Sequence, residues 1–415
     1  MTDLTGRPTI RLAYVTTLPQ TQWAFLRGQN RYMAATGFEL HAIASPGAHL
    51  TRLAERDAVV PHAIPMSRSI SPLRDCVSLG RLFLALRRIQ PDIVHVSTPK
   101  AALLGALAAW AARVPVRICF ARGSITEPAT GLKRVLFRAL ERLTAALCHQ
   151  TICVAPSLLA FFRTEGILPP AAGIVLANGM SNGIDVDRFT PDGAGSPAAA
   201  LLPRGLAAAA PDRDGAIVGY VGRLARDKGL EELAQAWQCI RTEFPRTHLL
   251  LVGAWEDQAP VAAEWRAALE RDPRVHFTGR VDDVVPYYRL MSLFVFPSHG
   301  TEGFPNVPME AAAMGLPVIA TRVVGSVDAV QDGVTGALIP PRDVVALTDV
   351  MRRYLSDAAA RRRHGDAGRS RVLRDFRQEP IWRALHAEYL RLVRAHGLAA
   401  RVPAAGTVAP ASRAS

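Results

Sequence analysis

The chain has 415 residues, 49% of them apolar and 20% charged, so it exceeds one ordinary hydrophobic core and lacks the composition of a disordered protein. Its net charge of +13 is carried by dispersed arginines, and with aromatics at only 7% no basic stripe with stacking platforms points to a nucleic-acid binder. Five cysteines without CxxC spacing exclude both a zinc ribbon and a disulfide framework.

The first residues contain no apolar run ahead of a small-residue cleavage site, which predicts a cytoplasmic protein. The longest apolar stretch, 101–112, is shorter than the ~18 residues that a membrane crossing requires. Residues 1–185 hold 20 Lys and Arg against 10 Asp and Glu, a surplus of +10; residues 186–415 hold 29 against 26, or +3. That asymmetry suits an anionic membrane surface or a polyphosphate partner. Arg52, Arg56, Arg68, Arg74, Lys133, Arg134 and Arg138, near the ends of expected helices and loops, are the candidates for such a face.

Along the first half, apolar runs at 9–15, 38–44, 92–96, 116–121 and 150–154 read as strands. Helical stretches at 79–89, 101–112 and 132–147 separate some of them, the pattern of parallel βαβ units. Residues 191–215 turn rich in Ala, Pro and Gly and read as a connection. A second series of strands follows at 216–222, 247–253, 274–279, 293–298 and 317–321. The expected organisation is an N-terminal Rossmann-like domain over 1–190, a linker, and a second such domain over 216–378. A helix at 379–400 would return to the first domain, and 401–415 would be a tail. Two doubly wound α/β domains facing a cleft would bind a ligand there.

Two segments carry the chemistry. The strand at 216–222 runs into GRLARDKG, which places Gly222, Arg223 and Lys228 where parallel sheets hold anions. Arg supplies a planar fork and Lys a point charge, so the pair can hold a diphosphate. The segment 298–321, SHGTEGFPNVPMEAAAMGLPVIAT, leaves a strand and becomes a helix near Pro305. Glu302 then lies before that helix and Glu310 within it, while the first amides, including those of Asn306 and Val307, face a ligand.

GRLARDKG, then EGFPNVPMEAAAMGLPVIAT, then VGSVDAVQDGVTGALIPPRD together resemble the family 4 retaining glycosyltransferases, and the resemblance covers nearly the whole chain. In the N-terminal half PDIVHVSTPKAALLGALAA, GLKRVLFRALERL and ANGMSNGIDVDRF resemble the branch that builds bacterial capsule, exopolysaccharide and O-antigen units. The resemblance implies a GT-B fold, a nucleotide-sugar donor, UDP-linked in this branch, and a lipid-linked acceptor at the inner membrane face. It implies that Arg223 and Lys228 hold the donor diphosphate and that Glu302 lies by the sugar hydroxyls. Glu310 would bind the ribose, and the backbone of Phe304, Pro305, Asn306 and Val307 would face sugar and phosphate. The backbone of Arg280 and Val281 would read the base. No residue is required as a nucleophile, so front-face substitution assisted by the leaving phosphate is expected.

Two departures stand out. Arg122 occupies the place of a His that in the family contacts the donor sugar, and a permanent cation there is expected to meet a phosphate of donor or acceptor. Asp328 replaces a Glu, with little expected effect. His95 is expected to end a strand at the cleft edge, where it could line the acceptor site or be a satisfied structural histidine. The DxD pairs at Asp185 and Asp187 and at Asp212 and Asp214 fall in or near the connection, and two cations on the diphosphate make a metal unnecessary. Neither a metal nor a cofactor is expected. Nucleotide-sugar 2-epimerases and phosphorylases share this architecture, but their motifs are missing.

Overall fold

The computed structural model describes residues 9–67, 71–192, 215–300 and 302–401. The linker's central part, the pair Asp212 and Asp214, Arg68 and nearly all of the C-terminal tail lie outside them. The chain forms two compact units, residues 1–183 with 378–415, and residues 184–377.

In the first unit the elements run β1 (Ile10–Val15), α1 (Pro19–Phe25), α2 (Gln29–Ala35), β2 (Phe38–Ala44), α3 (Ala48–Asp57), β3 (Val60–Ala63), α4 (Pro72–Ile89), β4 (Ile93–Ser97), α5 (Pro99–Ala111), β5 (Val116–Ala121), α6 (Gly131–Leu147), β6 (Gln150–Cys153) and α7 (Pro156–Thr164). Strands such as β1 and β4 are apolar and buried at almost every position because helices cover both faces of a parallel sheet. The strand order is β3-β2-β1-β4-β5-β6, all pairs parallel. Right-handed crossovers put α4, α5 and α6 on one face and α3 on the other. Consistently, α4 packs on α5 and α5 on α6. Proline at the first turn starts α1, α4, α5 and α7, where a missing N–H costs nothing.

The second unit runs β7 (Ile217–Val221), a 3-10 turn (Arg226–Lys228), α8 (Leu230–Glu243), β8 (His248–Val252), α9 (Ala263–Arg271), β9 (Val275–Gly279), α10 (Val285–Tyr288), β10 (Leu293–Phe296), α11 (Asn306–Ala313), β11 (Val318–Thr321), α12 (Ser326–Ala329), β12 (Gly336–Ile339), α13 (Val344–Ser356) and α14 (Ala358–Asp375). Its sheet has the order β12-β11-β10-β7-β8-β9, again parallel. Its core gathers Tyr220, Leu233, Trp237, Leu249, Leu251 and Tyr354. Asp343 and Asp357 accept amides at the starts of α13 and α14, the usual way to satisfy first-turn donors. The last long helix, α15 (Gln378–Ala395), belongs to the first unit, where it contacts α2.

Candidate active site

The second sheet reverses its winding between β7 and β10, so the chain leaves these neighbouring strands toward opposite faces, and their loops lie side by side at the carboxyl edge where such sheets bind ligands. Both chemical segments lie there. The loop after β7 carries Gly222, Arg223 and the 3-10 turn ending in Lys228, and the loop after β10 carries Ser298 and Glu302. The two loops are stitched together: the Asp227 carbonyl accepts from His299 N at 3.1 Å and from Gly300 N at 2.9 Å. Gly229 makes the approach possible. Its φ is +74°, and a Cβ there would lie 2.1 Å from the Pro297 carbonyl oxygen.

Lys228 is held in place by this construction. Its Nζ donates to Glu302 Oε1 at 2.7 Å, and the Ser298 hydroxyl donates to the same oxygen at 2.7 Å. Arg223 bridges Asp227 and Glu256 at 3.2 Å each. Its side chain is 51% exposed, against 16% for Lys228 and 12% for Glu302. Lys228 is therefore fixed, whereas exposed ion pairs like those of Arg223 are weak and exchange readily. The Tyr220 hydroxyl donates to the Arg223 carbonyl at 2.7 Å and sets the backbone from which that guanidinium reaches out.

Helix α11 begins at Asn306 with Pro305 as its N-cap. Glu302 thus precedes the helix and Glu310 lies in its second turn. Phe304 is buried against Phe376, with ring centroids 5.5 Å apart. The Asn306 Oδ1 is buried without a partner, and the Val307 carbonyl accepts from Tyr288 Oη at 3.3 Å. The same hydroxyl donates to Glu310 Oε2 at 3.0 Å. Although Glu310 as a residue is partly accessible, its carboxyl is enclosed, and burial pushes its pKa up to about 7. Gly325, in the VGSVD segment, has φ +81°, and a Cβ there would meet the Gly303 carbonyl oxygen at 2.3 Å. That glycine lets the turn after β11 lie under the loop that presents Glu302. At the other side of β7, Gly222 and Gly253 approach so closely that a Cβ on Gly253 would lie 1.8 Å from the Gly222 oxygen. Arg280 and Val281 follow the end of β9 beyond this pair, Arg280 exposed and Val281 half-buried.

Residues 215–357 match the model of the glycosyl transferases group 1, and residues 21–179 match that of the glycosyl transferase 4-like domain. The chain is 31% identical over 364 residues to the capsular polysaccharide biosynthesis glycosyltransferase CapM of Staphylococcus aureus, covering 88% of this chain and 93% of the relative. The chain belongs to the family 4 glycosyltransferases. A second relative, 26% identical over 77% of this chain and 81% of its own, is the UDP-Gal:alpha-D-GlcNAc-diphosphoundecaprenol alpha-1,3-galactosyltransferase of Escherichia coli. Among solved structures, Anabaena Alr3699/HepE in complex with UDP-glucose superposes with a TM-score of 0.74 at 20% identity, over 92% of this chain and 99% of that one. Sucrose-phosphate synthase from Thermosynechococcus elongatus gives 0.73 at 23%, over 93% and 100%. Both share the GT-B fold with this transferase.

In the transferase's first unit the winding reverses between β1 and β4. His95 sits in the middle of β4 rather than at its end, is 2% exposed, and contacts Tyr389 Oη through Nδ1 at 2.6 Å. Burial and the nearby Arg122 hold its pKa well below the ordinary value, so it is a neutral core residue. The apolar run at 92–96 stops one residue short, because Ser97 ends the strand, and of the two readings of His95 the structural one fits its burial. Arg122 follows β5 and donates from Nε to Ser97 Oγ at 3.0 Å. Asp185 accepts the Arg188 amide at 3.1 Å and closes a turn. Among the described residues no group of three or more His, Cys, Asp or Glu is arranged to hold a metal ion. Asp227, Glu256, Ser298, Tyr288 and Gly325 were not singled out from sequence. Only the position of Asp227 between two cations hinted at such a part.

The raised pKa of Glu310 has a consequence for the transferase's stability. A carboxyl whose folded pKa exceeds its unfolded value of 4.5 favours the fold below that value, and the contribution is lost as pH rises through about 7. The melting temperature of the wild-type chain should therefore fall relative to Glu310→Gln across that window. Parallel pH profiles of the two proteins would show that Glu310 is not enclosed.

Proposed function

We propose that the chain moves a sugar from a UDP-sugar to a polyprenyl-diphosphate-linked saccharide, with retention of anomeric configuration and without a metal, in bacterial surface polysaccharide synthesis. The observation that carries the reading is the fixed Lys228 and the exposed Arg223 at the switch point of the second sheet. Two cations there, Lys228 preorganised and Arg223 free to exchange partners, stabilise the charge that grows on the leaving diphosphate, the task a metal performs elsewhere. Gly222 and the strand-end backbone of Arg280 and Val281 leave room for the nucleotide base, and Glu310 receives the ribose hydroxyls. The amides of Phe304, Asn306 and Val307, with the N-cap Pro305 between them, face the sugar and its phosphate. Glu302 is engaged by both Lys228 and Ser298, which suits a residue that orients sugar hydroxyls rather than a free nucleophile. That favours front-face substitution. Of the two relatives, one is a capsular polysaccharide biosynthesis glycosyltransferase and the other an alpha-D-GlcNAc-diphosphoundecaprenol alpha-1,3-galactosyltransferase, which supports the acceptor class. The test is transfer itself, with UDP-sugars and a polyprenyl-diphosphate saccharide as substrates and a chelator present.

The membrane face follows from the same reading, but its residues differ from those expected. Arg56 is bound to Asp57 at 2.8 Å and stacks over Trp23 at 4.0 Å, and Arg134 pairs with Glu165 at 2.7 Å. Arg52 stands on α3, across the sheet from Arg74, Lys133 and Arg138. Of the expected residues Arg74, Lys133 and Arg138 remain, on the face of α4 and α6, and that face is the surface that fits a membrane. On α6 only Thr144 is buried, Leu132 is 88% and Val135 54% exposed, and Lys133, Arg138 and Arg142 stand among them. On α4, Leu73 and Val77 are exposed beside Arg74 and Arg81. Among the described residues no helix is long and apolar enough to cross a membrane. Apolar side chains ringed by cations attach reversibly to an anionic interface, each basic residue adding roughly 1 kcal/mol. The full chain should cosediment with anionic vesicles at low salt, lose most binding at ~0.5 M salt, and lose it also in Leu132→Asp with Leu136→Asp. Equal binding by that double variant would remove α6 from the surface.

A further inference from the structure

Arg122 is a cation without a counter-charge among the described residues. Its guanidinium lies over the rings of Phe25 and Phe120, 4.9 Å from each centroid, and its Nε donates to Ser97. Its Nη1 is sealed from solvent and has no partner. Among the described residues no carboxylate forms an ion pair with it. Burial lowers its pKa to about 10 and the neighbouring Tyr14 and Tyr389 are neutral phenols at physiological pH, so no described residue neutralises it. Leaving a buried charge unpaired is costly, and natural proteins pair such charges or use them.

The surroundings give that cation a direction. Ser97, which Arg122 grips, directly precedes the N-cap of α5, a helix of 13 residues that begins at the carboxyl edge of β4. The N-cap Thr98 is held at φ +68°, and its hydroxyl lies 2.9 Å from Thr17 Oγ1 and accepts from Thr17 N at 3.1 Å. It therefore makes no bond to the amides of its own helix. A strained N-cap, a helix start with positive partial charge and a guanidinium short of a partner converge at the switch point between β1 and β4.

We infer that Arg122 and the start of α5 form an anion site in the first unit that receives a phosphoryl group of a substrate. The inference rests on the transferase reading above and extends it to the unit that lacks the Arg223 and Lys228 pair. Two sources share this chemistry: the diphosphate of the donor nucleotide and the diphosphate of a lipid-linked acceptor. A guanidinium held by Ser97 and flanked by two rings is oriented before the ligand arrives, so little ordering is lost on binding.

The test is calorimetric titration of the full chain and of Arg122→Gln and Arg122→Lys with three probes: UDP, inorganic pyrophosphate, and a water-soluble short-chain polyprenyl diphosphate. Binding is read directly, so the result stands whether or not the transfer reaction is the one proposed. Loss of one charge-assisted contact should weaken the relevant probe about 10- to 100-fold in Arg122→Gln. Arg122→Lys, which keeps the charge, should recover part of it. Weakening of UDP assigns the site to the donor. Weakening of the polyprenyl diphosphate and pyrophosphate with UDP unchanged assigns it to the acceptor. Unchanged affinity for all three probes in both variants, with melting temperatures close to wild type, would overturn the proposal. If Arg122→Gln fails to fold, Arg122→Met, which keeps the apolar stem and removes the charge, takes its place, and wild-type affinity for every probe in that variant would contradict the inference.

Discussion

Replacing Lys228 with Ala is expected to lower turnover at least ~100-fold, the loss measured when one preorganised charge contact to a transition state is removed. Lys228 is the cation that needs no rearrangement, since Glu302 and the Gly229 turn already fix it over the end of β10. An ammonium carries three donors, so it can keep Glu302 and still meet a phosphate oxygen. Arg223 differs because its guanidinium is shared between Asp227 and Glu256 in the free protein and must leave at least one of them for the donor. Arg223→Ala should therefore fall about as far, while Glu256→Gln should raise donor affinity modestly by releasing the arginine. Lys228→Ala and Glu302→Gln combined should lose less than the sum of the single losses, because each removes one half of the same contact. Near-normal turnover in both Lys228→Ala and Arg223→Ala, measured as UDP release, would contradict their role.

The second large effect separates the two glutamates. Glu302 lies in a loop, bound to Lys228 and Ser298, whereas Glu310 lies inside α11 against Tyr288. Glu310→Gln should weaken UDP about 10- to 100-fold above pH 7, where the carboxyl is ionised and its bonds to hydroxyls are charge-assisted. Glu302→Gln should leave UDP affinity near wild type and lower turnover about 100-fold, the sign of an interaction made with the sugar in the transition state. Titration with UDP and single-turnover rates decide this, and identical changes in UDP affinity would refute the division.

Much of this was legible in the sequence because parallel strands announce themselves. Ten of the strands coincide with apolar runs, since a strand covered on both faces must be apolar throughout. The two that escaped notice are β3 and β12. Residues Val60–Ala63 form an edge strand that contains Pro61 and is largely exposed, and Gly336–Ile339 is four residues long and begins with Gly. Helix α4 starts two turns earlier than its apolar spacing suggested because Leu73 and Val77 face outward, and an outward apolar residue breaks the pattern by which helices are read. The two candidate-site segments were visible as motifs, but their pairing was not. Nothing in the spacing of Lys228 and Glu302 says that they touch, because the contact depends on the adjacency of β7 and β10, strands separated by two others in the chain. The surface charge misled for a related reason: Arg56 and Arg134 are spent on Asp57 and Glu165, and only geometry distinguishes a spent cation from a free one.

The proposed reaction is transfer from a UDP-sugar to a lipid-linked acceptor by a metal-independent site in the second unit. The most direct measurement incubates the full chain with a UDP-sugar and a polyprenyl-diphosphate saccharide in the presence of a chelator, following released UDP, the mass of the lipid product and its anomeric configuration. The account predicts one UDP released for each sugar gained by the lipid, with the donor's configuration kept and no UDP formed without acceptor. Consumption of the donor without acceptor, an absolute need for a divalent metal, or inversion at the anomeric carbon would contradict it.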